Sequence, residues 1–160
     1  MSTESHENSL WDVVRSPDNI CFACGPGNPL GLQLRFERRD DMVLARFIPG
    51  VWHGGWAGVV HGGILAALLD EAMAYAVFFT GSKCVTARME VRYRAAVACG
   101  DELCAEARIV RDNRRLVDVE GRILRGDTVV AEANGRFMKL GPLDVEAIVA
   151  PRATETIGGS

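Results

Sequence analysis

The sequence lacks the basic start and apolar core of a signal peptide, and it carries no excess of positive charge. Its formal net charge is −3 and its pI is about 5.6, which argues against a general affinity for nucleic acid or anionic membranes. The long apolar run at residues 58–79 is interrupted by Asp70 and Glu71, which favours a core helix over a membrane span. We therefore expect a cytoplasmic protein whose partners include neither nucleic acid nor membrane.

A complete set of metal ligands is also lacking. The chain has five cysteines, and Cys21 and Cys24 form a Cys-x-x-Cys pair, but no second such pair and no His-x-x-x-His pattern completes a zinc site. A thioredoxin-like motif would open a helix after a strand, whereas this pair precedes the turn residues of segment 21–34. We expect no metal, and we interpret the two cysteines as small, reduced packing residues.

The length of 160 residues and the 48% apolar content predict one domain with a substantial core. Residues 1–20 are polar and are interpreted as an N-terminal extension. Residues 21–140 contain the periodic segments and form the predicted domain. Residues 141–160 are predicted to be a poorly ordered tail.

Alternating apolar and polar residues predict six strands. The first two, in segments 31–38 and 43–47, flank the Asp40-Asp41 turn and predict a hairpin. Four more follow the helix, at 85–93, 103–109, 117–123 and 129–137. Their short connections predict an antiparallel meander of these last four strands.

The element order is therefore β-β-α-β-β-β-β. The apolar run at 58–79 is hydrophobic almost all the way round, so the predicted helix is buried only if the sheet curls around it. This is an α+β architecture that resembles the hotdog fold, in which a curved antiparallel sheet wraps a long central helix.

The two acids of the helix lie on different faces. Asp70 shares its face mainly with small residues, together with Met73 and Val77, and this face is predicted to border a cavity or another helix. Glu71 shares its face with bulky residues, which predicts the sheet-packing side. A carboxylate in an apolar helix is a candidate functional group, and Asp70 is the better one. The alternative for both is a structural acid bound to backbone N–H groups.

Gly62 and Gly63 open the helix, where backbone N–H groups have no intrahelical partner. With no side chain in the way, a ligand oxygen could approach these amides as in an oxyanion hole; the alternative is a tight entry turn. Gly63 and Asp70 are separated by about 10 Å along the helix, at 1.5 Å per residue. One carbonyl group cannot contact both, so a site that uses both must be shared between two subunits of a two-fold dimer.

The segments CFACGPGNPLGLQLRF, HGGWAGVVHGG and LLDEAMAYA, with the strand that follows, resemble the PaaI-type hotdog thioesterases of the acyl-CoA thioesterase superfamily. The resemblance covers about residues 21–138. It implies hydrolysis of acyl-CoA thioesters by a homodimer or a dimer of dimers, with no cofactor beyond the coenzyme A of the substrate.

The resemblance also implies roles for particular residues. Asp70 becomes the general base or nucleophile, and the amide of Gly62, with Gly63 beside it, becomes the oxyanion donor. Thr86, on the strand after the helix, positions water. His61 is a chemically plausible base, but the resemblance favours a structural role for it.

The loop before the helix departs from the family pattern. Relatives often carry Asn or Gln where this chain has Gly54 and Gly55, so His53 or Trp52 is a candidate substitute for the missing polar contact. Trp52 and Trp56 are expected either to cover the acyl group, which favours an aromatic or medium-chain acyl group, or to fill the core.

The coenzyme phosphates are expected to meet arginines. Arg114 and Arg115 at a hairpin are the first candidates, with Arg88, Arg92 and Arg94 as rivals and a solvated basic edge as the alternative. Two other functions stay open. A non-catalytic acyl-CoA-binding or sensing protein is compatible with the glycines of the loop, whereas a hotdog dehydratase or hydratase fits the spacing of the acids poorly.

Overall fold

The computed structural model describes residue 11 and residues 14–144. The chain divides into two compact units, Leu34–Leu143 and a second unit that includes residues 14–33. In the second unit, backbone hydrogen bonds such as Gly25 N–H to the Cys21 carbonyl form consecutive turns, as the glycine-rich sequence predicts. Cys24 is buried there and Cys21 is half-buried.

The unit Leu34–Leu143 consists of one long helix and a six-stranded antiparallel sheet. Its elements are β1 (Phe36–Arg39), β2 (Met42–Phe47), α1 (Gly62–Phe78), β3 (Ser82–Tyr93), β4 (Leu103–Asp112), β5 (Leu116–Arg125) and β6 (Thr128–Pro142), with a short 3-10 turn at Val51–His53. The predicted element order and the β1–β2 hairpin are confirmed, with Phe36 opposite Ala45. β6 continues two residues into the segment predicted as a tail, and residues 145–160 lie outside the described residues.

The predicted meander of the last four strands is wrong for β3. The sheet order is β1-β2-β4-β5-β6-β3, so β3 pairs with β6 and β4 pairs with β2. The connection from β3 to β4, residues 94–102, is longer than a hairpin loop of about two to five residues. It carries the chain from the β3 edge past β6 and β5 to the position of β4 beside β2. β3 therefore forms one edge of the sheet, and its twelve residues are mostly exposed.

The sheet-facing side of α1 differs from the predicted one. Met73 and Val77, assigned to the open face, are fully buried, whereas Glu71 is only half-buried. Met73 packs against two sheet glycines, Gly121 and Gly135, where an added Cβ would lie 3.1 Å from the Met73 side chain. Because apolar residues surround most of the helix, its periodicity did not determine which side meets the sheet. The side chains of α1 that are buried are Leu65, Leu68, Leu69, Ala72, Met73, Tyr75, Ala76 and Val77.

Among the described residues, no helix has both the length and the apolar character that crossing a membrane requires.

Candidate active site

Asp70 and Thr86 are in direct contact. Thr86 Oγ1 on β3 donates a hydrogen bond to Asp70 Oδ1 on α1, and the two oxygens are 2.6 Å apart. Within residues 14–144, Asp70 accepts no backbone N–H and its Oδ2 accepts no hydrogen bond. This geometry does not match the alternative of a structural acid bound to backbone amides, and it leaves Oδ2 able to contact water or a ligand.

The surroundings of Asp70 are open and lined by small side chains. Asp70 is half-buried, as are Ala66, Ala67 and Ala74 on the same side of α1, and Thr86 is exposed. Small side chains let a substrate or a second helix approach the carboxylate. A single chain therefore presents Asp70 at its surface rather than inside a closed cavity.

Cys84 lies beside this carboxylate. Its Sγ is 4.0 Å from the Ala74 carbonyl oxygen. The pKa of the Cys84 thiol is raised to about 11. Burial is the largest cause, and the negative charges of Asp70 and Glu71 add to it. Cys84 is therefore a protonated thiol near neutral pH and a poor nucleophile.

This coupling predicts a pH effect. Replacing Asp70 with Asn removes one negative charge that disfavours the thiolate, so the pKa of Cys84 falls from about 11 but stays above 9.0 because burial is the largest cause. The measurement follows iodoacetamide alkylation of Cys84 by mass spectrometry as the pH is raised. The alkylation rate is expected to start rising at a lower pH in Asp70→Asn than in the wild type. Asp127→Asn, an exposed acid in the β5–β6 turn, is the control. An identical alkylation profile for Asp70→Asn and wild type would contradict the coupling.

The two glycines at the start of α1 differ in their hydrogen bonding. His61 is the N-cap residue, and its Nδ1 accepts the Gly63 N–H at 2.9 Å. The ring therefore holds a structural position at the helix start. The Gly62 N–H has no acceptor among the described residues. Of the two predicted oxyanion donors, Gly62 is the one whose amide hydrogen is available.

Tyr93 contacts the same turn and was not identified from the sequence. Its hydroxyl, at the end of β3, donates to the Gly62 carbonyl oxygen at 2.9 Å. Atoms of its ring lie 3.4–3.5 Å from the position of a Cβ on Gly62. The only sequence signal was a tyrosine that ended an alternating strand, and such a residue is usually a packing residue.

His53 stabilises the loop before α1. Its Nδ1 accepts the Gly50 N–H at 2.9 Å, and its carbonyl oxygen accepts the His61 N–H at 2.9 Å. Its ring also contacts Phe47, with the ring centroids 5.2 Å apart. An added Cβ at Gly55 would lie 3.3 Å from His61 Cα, so a larger side chain there would displace the turn.

The two loop tryptophans do not fill the core of the chain. Trp52 is 94% exposed and Trp56 is 85% exposed. The alternative that they plug the core is therefore wrong for this chain. They belong to an exposed apolar loop that also includes Ile48 and Val51.

The arginines differ in their ionic partners. Arg88 and Arg92 both lie near Glu90, at 3.7 and 3.2 Å, and Arg94 pairs with Glu132. Arg114 and Arg115, in the exposed turn between β4 and β5, form no salt bridge with any residue that the structure describes. These two guanidinium groups thus carry uncompensated positive charge. They lie at the end of the sheet where Leu116 of β5, Met138 of β6 and Val85 of β3 are in register.

A cavity of about 410 Å³ lies elsewhere, on the face of the sheet opposite α1. Its lining includes charged side chains of β4, β5 and β6, several of them in salt bridges such as Arg122–Glu106 at 2.8 Å. Neither Asp70 nor Thr86 nor the Gly62 turn lines it. The predicted site residues form two separate groups. One is Asp70 with Thr86, and the other is the turn at the start of α1.

A long helix packed on a six-stranded antiparallel sheet of this order is the hotdog fold. The structure matches the PaaI protein of the E. coli phenylacetic acid degradation operon with a TM-score of 0.65, at 20% identity, over 69% of this chain and 82% of that one. It matches a conserved protein from Pseudomonas aeruginosa with a TM-score of 0.63, at 31% identity, over 68% of this chain and 90% of that one.

The sequence comparisons give the family. The thioesterase superfamily profile matches residues 57–132, which include α1 and most of the sheet. The acyl-coenzyme A thioesterase THEM5 from Mus musculus is 25% identical over 107 residues, which are 66% of this chain and 43% of that protein. The chain belongs to the thioesterase superfamily, and it spans less than half the length of this curated relative.

Proposed function

We propose that this protein hydrolyses acyl-CoA thioesters, with Asp70 as general base or nucleophile and the Gly62 amide as oxyanion donor. The observation that carries the proposal is the 2.6 Å hydrogen bond from Thr86 to Asp70. Membership of the thioesterase superfamily and similarity to a protein named as an acyl-CoA thioesterase support it. The match spans only 43% of that relative, so the activity is proposed on the geometry of this chain.

The proposed chemistry follows from the Asp70 carboxylate and the Gly62 amide. The thioester carbonyl oxygen binds the Gly62 N–H at the positive end of the α1 dipole, where developing negative charge is stabilised. In one route, Asp70 removes a proton from water as the water oxygen bonds to the carbonyl carbon. The C–S bond then breaks, the coenzyme A sulfur leaves as a thiolate, and the proton that Asp70 took from water passes to the thiolate and restores the carboxylate. Thr86 orients the Asp70 carboxylate and the water beside it.

In the second route Asp70 attacks the carbonyl carbon directly. The C–S bond breaks to give an anhydride between Asp70 and the acyl group, and water then hydrolyses it. Both routes release the free acid and coenzyme A. Both use the same residues.

We further propose that the active site is shared between two subunits of a homodimer or of a dimer of dimers. Gly62 and Asp70 are eight residues apart, about 12 Å along α1, so one thioester cannot contact both on the same helix. Antiparallel α1 helices around a two-fold axis would bring Gly62 of one subunit to Asp70 of the other. The exposed edge strand β3, twelve residues long, supports association because unpaired strand edges favour pairing with another chain.

The recognition of substrate is assigned to two further groups. The exposed Trp52 and Trp56 suit contact with an aromatic or medium-chain acyl group. Arg114 and Arg115, which lack ionic partners in the described chain, suit the phosphates of coenzyme A better than the paired Arg88 and Arg92. His53 and Glu71 remain candidates for contact with substrate; the His53 ring already accepts the Gly50 amide.

The test is release of coenzyme A from a panel of acyl-CoAs that runs from short-chain to phenylacetyl and long-chain. We expect turnover with at least one of them, highest for an aromatic or medium-chain acyl group. A blank of protein alone corrects for the five cysteines, which also react with thiol reagents. Tight binding of acyl-CoA without turnover would instead identify a binding or sensing protein. Hydration of an enoyl-CoA would identify a hydratase.

A further inference from the structure

The peptide group between Gly62 and Gly63 is held at both of its polar ends by side chains. Its carbonyl oxygen, on Gly62, accepts the Tyr93 hydroxyl at 2.9 Å. Its N–H, on Gly63, donates to His61 Nδ1 at 2.9 Å. Because a peptide group is planar, these two bonds at opposite ends fix the orientation of the whole group.

The preceding peptide group is fixed as well. This is the His61–Gly62 peptide, which carries the Gly62 N–H. Its carbonyl oxygen, on His61, accepts the Ile64 N–H at 2.9 Å. The Gly62 nitrogen therefore lies between two peptide planes whose orientation is determined by neighbours. Two consecutive glycines would otherwise be the most freely rotating part of this turn.

We propose that Tyr93 is a positioning residue for the oxyanion donor. This inference rests on the proposed function. The Tyr93 hydroxyl fixes the Gly62–Gly63 peptide, which is joined through the two backbone torsions of Gly62 to the peptide that carries the Gly62 N–H. By holding one side of this glycine, Tyr93 limits the rotation that would turn the Gly62 N–H away from the thioester oxygen. Oxyanion donors are effective because they are oriented before the reaction, and a hydrogen bond weakens steeply when its angle deviates.

A purely structural role for Tyr93 would act through its ring. The ring lies against Gly62, with atoms 3.4–3.5 Å from the position of a Cβ there. The side chain is 52% exposed, so removing its hydroxyl does not open a cavity in the core. Tyr93→Phe keeps the ring and removes only the hydroxyl, whereas Tyr93→Leu removes both.

The experiment measures kcat, KM and backbone amide hydrogen exchange in the full chain. For Tyr93→Phe we expect kcat to fall about tenfold with KM changed less than about twofold, as for the loss of one positioning hydrogen bond. We also expect faster exchange of the Gly63 amide, which is hydrogen-bonded to His61 Nδ1, and shifted NMR resonances of the Gly62 and Gly63 amides. Thr128→Val removes a hydroxyl from the exposed start of β6 and is the matched control. The kcat of Tyr93→Leu is expected to fall at least as far as that of Tyr93→Phe.

Two results would overturn the inference. The first is a Tyr93→Phe variant with wild-type kcat. The second is a Tyr93→Phe variant whose Gly63 amide exchanges as in the wild type and whose Gly62 and Gly63 resonances are unshifted. If the wild type turns over no acyl-CoA, the proposed function fails, and the exchange measurement alone then decides whether Tyr93 orients this turn.

Discussion

Asp70→Asn is expected to lower kcat for acyl-CoA hydrolysis by about 10²- to 10⁴-fold, the range for loss of a general base. Asparagine has nearly the shape of aspartate, but its amide can neither accept the proton of water nor attack the carbonyl carbon. The Thr86 hydroxyl, 2.6 Å from Asp70 Oδ1, can still donate to the amide oxygen of asparagine, so the local contact is retained. The change therefore isolates the chemistry of the carboxylate.

The measurement compares kcat of wild type, Asp70→Asn and Asp127→Asn with the best acyl-CoA of the panel. Asp127 carries the same side chain in the exposed β5–β6 turn, so its replacement is expected to leave kcat unchanged. Thermal unfolding and the oligomeric state of each variant show whether the fold is retained. Full activity in a folded Asp70→Asn protein would exclude both proposed routes.

Gly62→Pro is expected to lower kcat by about 10²- to 10³-fold, the range for removal of one oxyanion donor. Proline has no backbone N–H, so the substitution removes the proposed donor itself. The position suits proline because Gly62 is the first residue of α1, where proline is common. His61 has φ −64° and ψ 132°, a conformation that a residue before proline readily adopts.

Gly62→Ala is the matched variant for this change. It adds the same Cβ, which would lie 3.4–3.5 Å from the Tyr93 ring in ordinary contact, and it keeps the N–H. The ratio of kcat between the alanine and proline variants therefore measures the loss of the amide together with the space that the proline ring fills. Equal kcat in these two variants would show that the Gly62 amide does not stabilise the reaction.

The order of the strands and the helix along the chain was predictable from local periodicity. Alternation identified the strands, and the apolar run identified α1, because both signals depend only on neighbouring residues. The pairing of β3 with β6 was not predictable in this way, since it depends on the path of residues 94–102. The burial of Met73 against Gly121 and Gly135 depends likewise on residues far away in the sequence.

For the candidate site, the residues of the motifs were predictable from the sequence, but most of their contacts were not. Asp70, Thr86 and Gly62 were identified from the position of each residue in a motif, and the structure brings Asp70 and Thr86 together. The use of the Gly63 amide by His61 Nδ1 was not predicted, because several side chains could cap this helix start. The contact of Tyr93 with Gly62 joins residues 31 positions apart, so no local pattern could reveal it.

The most direct test of the account is the activity of mixed dimers of Asp70→Asn and Gly62→Pro subunits. Each variant alone is nearly inactive by the arguments above. If one site uses Gly62 of one subunit and Asp70 of the other, every mixed dimer contains one intact site and one doubly altered site. An equal mixture, unfolded and refolded together, is then expected to recover about one quarter of wild-type activity, since about half of the dimers are mixed. A mixture that forms mixed dimers but stays as inactive as its components would contradict the shared site.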